Sequence, residues 1–256
     1  MCGRYAASKD PDALVEEFEV DETVLDEPLA PDYNVAPTKP VYVVLQRRPK
    51  GETTSAVAAR QLRVARWGLV PSWAKDRAIG SKLINARVET LAQKPAFRRA
   101  YAARRCLLPA DGYYEWYLPT GPDVALTKAG KPRKQPFYIH PADGSSLAMA
   151  GLYEWWHDPT LDRDDPQAWL LSATVITTTA TDALGHIHDR MPVLVPPVEW
   201  ARWLDPDLAD PAGSAAVTDL LVAASPDALV SEPVSLAVND VRNNGAELIE
   251  PLPARG

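Results

Sequence analysis

The sequence is poor in cysteine and histidine, with two of the first and four of the second among 256 residues. Two thiols cannot staple a disulfide scaffold, and a reducing compartment, the cytoplasm, is the expected setting. No Cys-x-x-Cys pair and no His-Glu-x-x-His is present, and His186 and His188 in "GHIHD" have no second ligand cluster in sequence. No metal and no cofactor are therefore expected. The phosphate-cradling G-x-x-x-x-G-K and the nucleophile elbow G-x-S-x-G are also missing. No apolar run is long enough to span a bilayer, there is no charged-then-apolar leader, and Cys rather than Gly at position two removes the myristoylation pattern. Membrane attachment is not expected.

What is present is a soluble globular composition, 46% hydrophobic and 24% charged, long enough to bury a substantial core. The 25 prolines favour turns and extended connections over long helices. Strand-like runs recur at "VYVVLQ", "LRVARWGLV", "RCLLPA", "YYEWYL", "PFYIHP", "LAMAGLYEWW", "WLLSATVITTT" and "LVSEPVSLAV". "RRPKGETTS" reads as a turn. "DPDALVEEFEV", a stretch from about Pro95 to Ala103, "PVEWARWL" and "AAVTDLLVAA" fit helices. The segment "GPDVALTKAGKPRKQ" reads as an exposed basic hairpin loop. Together these predict one α+β domain over 1–245, a mostly antiparallel β core with peripheral helices, and a loose C-terminal tail over 246–256. The net charge of −7 hides an asymmetry: residues 60–135 hold 16 Lys/Arg against 5 Asp/Glu. A basic face on an acidic protein attracts phosphates, whereas the same charges scattered over the surface would not.

Several residues could carry chemistry. Cys2 would become N-terminal if Met1 were trimmed, and would then bear an α-amine beside its thiol, with pKa values near ~7.7–8 and ~8.5. Such a 1,2-aminothiol can condense with an aldehyde and close a ring; otherwise Cys2 is a residue of a frayed end. Cys106, in "CLLPA", reads as a buried free thiol. Glu115 and Glu154 each sit inside a "YEW" core, where burial would raise a carboxyl's pKa toward proton shuttling; pattern alone does not choose between them. Trp67, Trp73 and Trp116 lie in the basic stretch, as stacking platforms for bases or as core. Asn85 and Arg87 in "INARVET" face one side if extended and suit an oxygen-rich ligand, or are a turn cap and a solvated cation.

Taken in order, "MCGRYA", "YNVAPT", "RWGLVPSW", "INARVET", "RRCLLPADGYYEW", "AGLYEW" and "IHDRMPVLV" resemble the SRAP family, the SOS-response-associated peptidase or abasic-site-processing proteins. The resemblance runs from Met1 to at least Val195. It implies a protein that senses abasic sites in single-stranded DNA and crosslinks to them through a thiazolidine at Cys2, with Met1 removed. By motif, Asn85 would hold amine and sugar in register. Glu115 would be the general acid/base, which leaves Glu154 a structural role, and His188 rather than His186 would promote sugar ring opening. DNA contacts are implied for Arg4, Arg87 and Arg190 on phosphates, for Trp73 and Trp116 against displaced bases, and for Thr177 near the backbone. Weak strand-cleaving lyase activity and crosslink reversal would accompany the reaction. The expected partner is single-stranded DNA bearing an abasic site, and the expected state a cytoplasmic monomer, associated with the nucleoid when DNA-bound. Two other readings stand beside it: a Cys-dependent (auto)peptidase using Cys2, His188 and Asn85, and a non-catalytic single-strand DNA binder.

Overall fold

The computed structural model describes residues 2–48, 58–122, 124–180, 184, 186–208 and 229–253. Thirteen strands are found among them. Five make a closed barrel: β4 (Pro40–Arg47), β5 (Ala59–Trp67), β7 (Arg105–Ala110), β10 (Leu147–His157) and β11 (Trp169–Thr179). The pairs β5–β4, β4–β7, β7–β10 and β10–β11 are antiparallel, and a short parallel seam between β11 and β5 (Ser172↔Arg66, Ala173↔Trp67) closes the ring. Closure removes the unpaired edges that an open sheet would expose. Three short strands attach to this wall: β2 (Glu22–Val24) on β5, β6 (Asn85–Arg87) in parallel on β11, and β12 (Arg190–Pro192) antiparallel on β11. A second sheet runs in the order β13 (Leu229–Pro233), β9 (Gln135–Pro141), β8 (Gly112–Tyr117), β1 (Tyr5–Ala7), β3 (Asp32–Val35).

Strand alternation sorts the barrel residues onto two cores. Val41, Val43 and Leu45 of β4 face one core shared with Tyr5, Tyr113 and Ile139 of the second sheet. Tyr42 and Val44 face the other, which is covered by three short helices, α1 (Pro11–Glu17), α2 (Arg98–Ala103) and α3 (Trp200–Leu204). Phe18, just past α1, stacks on Trp200 at 4.6 Å between centroids. Asp10 caps α1 through the Ala13 amide, and Pro11 occupies its first turn. The α+β reading, with an antiparallel β core and peripheral helices, agrees with this architecture. The proposed helix "AAVTDLLVAA" and most of the turn "RRPKGETTS" lie outside the described residues. Among the described residues no helix is long and apolar enough to cross a membrane.

The loose tail is corrected in part. Leu248 is fully buried with Val234 and Val238, and Pro251 bridges Val234, so the chain is docked well past residue 245. The sequence signal was "PLPARG", which draws attention to its prolines and hides the apolar anchor four residues upstream of Leu252.

Candidate active site

Four residues far apart in sequence meet at the N-terminal strand. Cys2 is wholly buried in the core shared by the barrel and the second sheet. β1 pairs antiparallel with β8 in the register Tyr5↔Tyr113, extended by the Tyr114 N–H donating to the Arg4 carbonyl at 2.9 Å. That register sets Gly3, beside Cys2, opposite Glu115. Asn85 arrives from the other side on β6, opposite Val175 of β11, and its Nδ2 donates to the Cys2 carbonyl at 2.7 Å. His188 precedes β12, and its Nε2 stands 3.9 Å from Glu115 Oε2.

Asn85 is delivered by a close backbone crossing. Gly68, at φ +116°, lies against Gly80, so that a Cβ on Gly68 would sit 2.5 Å from the Gly80 carbonyl oxygen. Beyond this contact Leu69 N–H donates to Leu83, and Trp67 Nε1 donates to Ile84 at 3.0 Å, which fixes the approach to Asn85. The "RWG" and "INAR" stretches are thus one structural device.

The electrostatics separate the roles of the two YEW glutamates. Glu115 is 2% exposed, and burial pushes its pKa up to about 7. Glu154 is also buried and raised by desolvation, but Arg104 Nη1 pairs with it at 2.9 Å. The first is poised for proton transfer at neutral pH, while the second is a held ion pair. Burial drives the Cys2 thiol well above its ordinary range, with the Glu115 charge adding to the effect. At neutral pH Cys2 is therefore a thiol, not a thiolate. Desolvation lowers the His188 pKa, favouring neutral imidazole. The Arg190 N–H donates to His188 Nδ1 at 3.0 Å, so the neutral ring carries its proton on Nε2, toward Glu115. The Asp189 carboxylate, 2.9 Å from Nδ1, accepts a hydrogen bond only when Nδ1 carries a proton, in the imidazolium or the Nδ1–H tautomer. We assign the neutral Nε2–H tautomer, because the Arg190 backbone donor is fixed by the strand and Asp189 is largely exposed. His186 is exposed.

The residues expected to contact DNA divide into two groups. Arg87 is exposed beside Asn85, and Trp73 is 54% exposed. Trp116 is half-buried, donates from Nε1 to Asn239 at 2.7 Å, and lies under the Arg4 guanidinium, 5.7 Å from its ring centroid. Arg4 Nη1 donates to Asn34 Oδ1 at 2.5 Å and to the Val238 carbonyl at 2.9 Å. Arg190 is clamped between the Glu89 carboxylate at 2.5 Å and the Thr177 carbonyl at 2.6 Å. Thr177 is 1% exposed, with its carbonyl also accepting from Val88. Arg4, Arg190 and Thr177 thus hold the site's walls together, and Arg87 and Trp73 are the ones displayed to solvent.

Sequence reasoning missed Tyr5 and Tyr113. Both hydroxyls are buried without a hydrogen-bond partner among the described residues, as is Asn85 Oδ1. Both phenols are pushed well up by burial, with the Cys2 charge as a further cause. The signal was there: Tyr113 and Glu115 are two apart in a strand and share a face.

The family model for SOS response associated peptidase (SRAP) matches residues 1–241. The chain belongs to the SRAP family. Abasic site processing protein YoqW of Bacillus subtilis is 35% identical over 98% of this chain and 99% of its own length. YedK of Escherichia coli, also called an abasic site processing protein, is 32% identical over 98% of this chain and all of its own. HMCES of Xenopus tropicalis, of the same description, is 31% identical over 85% of this chain and 65% of its own. A solved Bordetella bronchiseptica protein is 27% identical with a TM-score of 0.67, covering 92% of this SRAP chain and all of that one. A Bacteroides thetaiotaomicron structure shares the fold at a TM-score of 0.72 and 22% identity, over 98% of this chain and all of its own.

Proposed function

We propose that the protein processes abasic sites in single-stranded DNA by crosslinking to the ring-opened sugar through Cys2. The observation that carries this reading is the convergence of Cys2, Asn85, Glu115 and His188 around one buried strand end. The relatives, abasic site processing proteins, suggest the substrate class.

The chemistry requires Met1 to be absent, so that Cys2 bears the free amine. His188 Nε2–H donates toward the sugar's ring oxygen and favours the open aldehyde. The α-amine adds to C1′ to give a carbinolamine, which Asn85 steadies by holding the Cys2 carbonyl. Protonated Glu115 gives its proton to the departing hydroxyl, one water leaves, and a Schiff base forms. The Cys2 S–H then adds across the C=N bond, sulfur to C1′ and the proton to nitrogen, closing a thiazolidine. A protonated thiol suits this order, because the amine must react first. Run backwards, with water restored, the same groups reverse the crosslink. At the Schiff-base stage, loss of a C2′ proton with departure of the 3′ phosphate would account for weak lyase activity. Holding the amine beside the aldehyde is the main rate contribution, at best roughly 7–11 kcal/mol.

The peptidase reading fits less well. The Cys2 thiol is held protonated by its burial, whereas a thiol nucleophile must act as a thiolate. The two readings part when the α-amine of trimmed protein is acetylated. Crosslinking chemistry ends completely, whereas thiol-based peptidase activity survives; survival of the covalent DNA adduct would overturn the proposal.

A further inference from the structure

A cavity of about 580 Å³, lined by cations and apolar side chains together, opens between β5, β10 and β11. The Cys2 site does not include any of its walls. Arg63, Arg66 and Arg77 line it with Trp155 and Trp169, and Arg47 stands over Trp155 at 5.8 Å, the same distance as Arg63. Three guanidinium groups on one cavity wall, with a fourth beside Trp155, repel one another without an anion, and the one side-chain partner among them is the Gln61 amide oxygen, which accepts from Arg63 Nε at 2.8 Å among the described residues. Among the described residues none of the four has a carboxylate at ion-pair distance. Asp26 lines the cavity, and Glu22 and Asp158 are near enough to act on Arg63 and Arg77, yet none of these closes on a guanidinium. Three buried polar atoms are also left unpartnered among the described residues: Arg66 Nε, Trp155 Nε1 and His157 Nε2. His157 packs edge-on against Trp169 at 5.1 Å, and Trp169 shows 43% of its surface to solvent.

Guanidinium groups along the wall and an exposed indole among the lining residues are the components of a phosphate-and-base receptor. We propose that this cavity is a second binding site for a nucleotide unit, its phosphate on Arg63, Arg66 and Arg77 and its base on Trp169. Burial holds the Arg63 and Arg66 guanidiniums below their ordinary range, and a neighbouring cation, Arg47 or Arg77 respectively, adds to this. A bound phosphate would relieve both. The unit can come from a DNA strand or from a free nucleotide. On β11 the cavity residue Leu171 and Val175, which pairs with Asn85, are four residues apart, or ~13 Å of strand. That is close enough for one bound strand to reach both sites.

The test uses trimmed full-length protein, an undamaged oligothymidylate and 2′-deoxyadenosine 5′-monophosphate as probes. The variants are Arg77→Ser/Trp169→Ala, both at exposed positions, and separately Arg66→Gln. Binding is followed by anisotropy and calorimetry across a salt series. If a strand occupies the cavity, oligothymidylate affinity falls roughly tenfold in the double variant, and the salt slope falls by about one. If a free nucleotide does, the monophosphate binds the wild type and loses roughly tenfold in both variants, while oligothymidylate is unaffected. Either result supports the site and names its source. Wild-type affinities for both probes in both variants, or no binding of either probe to the wild type, would overturn it. No abasic site is present in either probe, so this test can fail while crosslinking through Cys2 stands, and the reverse.

Discussion

Glu115→Gln removes one proton and one charge while keeping the shape of the side chain, and two measurable effects follow. The first concerns stability. Burial raises the folded-state pKa of Glu115 to about 7 from an ordinary value of 4.5. A raised carboxyl contributes fully below its unfolded pKa, in protonated form, and that contribution is lost as pH rises through the folded value. The native protein therefore carries a buried charge penalty above about pH 7 that Gln abolishes. A shift from 4.5 to about 7 corresponds to an upper bound of ~3 kcal/mol. For a chain of this length that is a Tm gain of roughly 6–12 °C at pH 9, vanishing by pH 4. The second effect concerns rate. The proposed chemistry calls for protonated Glu115 and an unprotonated amine, so the wild-type crosslinking rate should pass through a maximum between about pH 7 and 8. Without the acid the rate falls by about 10²–10⁴ and the decline at high pH disappears. Thermal melts from pH 4 to 9 and quenched crosslinking reactions over the same range check both. A Gln variant with an unchanged pH dependence of Tm would refute the assignment of Glu115 as a buried, titrating acid.

Asn85→Ala loses the 2.7 Å bond to the Cys2 carbonyl. Crosslinking should slow by about 10²-fold through misplacement of the amine, with a stability loss of only about 1 kcal/mol by denaturant titration. His188→Ala should react slowly with a natural, mostly ring-closed abasic sugar but at near wild-type rate with an acyclic aldehyde analogue; equal slowing on both would remove its ring-opening role. Arg87→Ala should lower the salt slope of DNA binding by about one, whereas Arg190→Ala, which breaks the contacts to Glu89 and Thr177, should cost about 1–3 kcal/mol of stability. Gly68→Ala, at φ +116° against Gly80, should destabilise the fold and displace Asn85, read as a lower Tm and slower crosslinking together.

Much of this site is legible in sequence because its residues sit in short, distinctive strings, each anchored to a strand. Alternation alone places Tyr113 and Glu115 on one face, and the seven ordered stretches supply the identity of the four central residues. Local pattern cannot show which charges are already engaged. Arg4 and Arg190 look like phosphate binders in sequence, but their partners Asn34, Val238 and Glu89 lie 30, 234 and 101 residues away. Barrel closure is hidden for the same reason, since the β5–β11 seam rests on two residue pairs about a hundred positions apart. Strand pattern alone leaves Glu115 and Glu154 tied until the ordered motifs favour Glu115, and tertiary contact adds the physical difference: both lie in YEW strands and both are buried, and Arg104 reaches just one of them. The Arg–Trp cavity is equally invisible, because it and its flank gather residues 47, 63, 66, 77, 155 and 169 from four barrel strands and a connecting segment.

The most direct test of the account is a denaturing gel. Protein with Met1 removed is incubated with single-stranded DNA carrying one abasic site, beside Cys2→Ala and a duplicate given no reductant. The account predicts a shifted, denaturation-resistant band without reductant in the wild type and none in Cys2→Ala. No such band from correctly trimmed protein, or an equal band from Cys2→Ala, would contradict it.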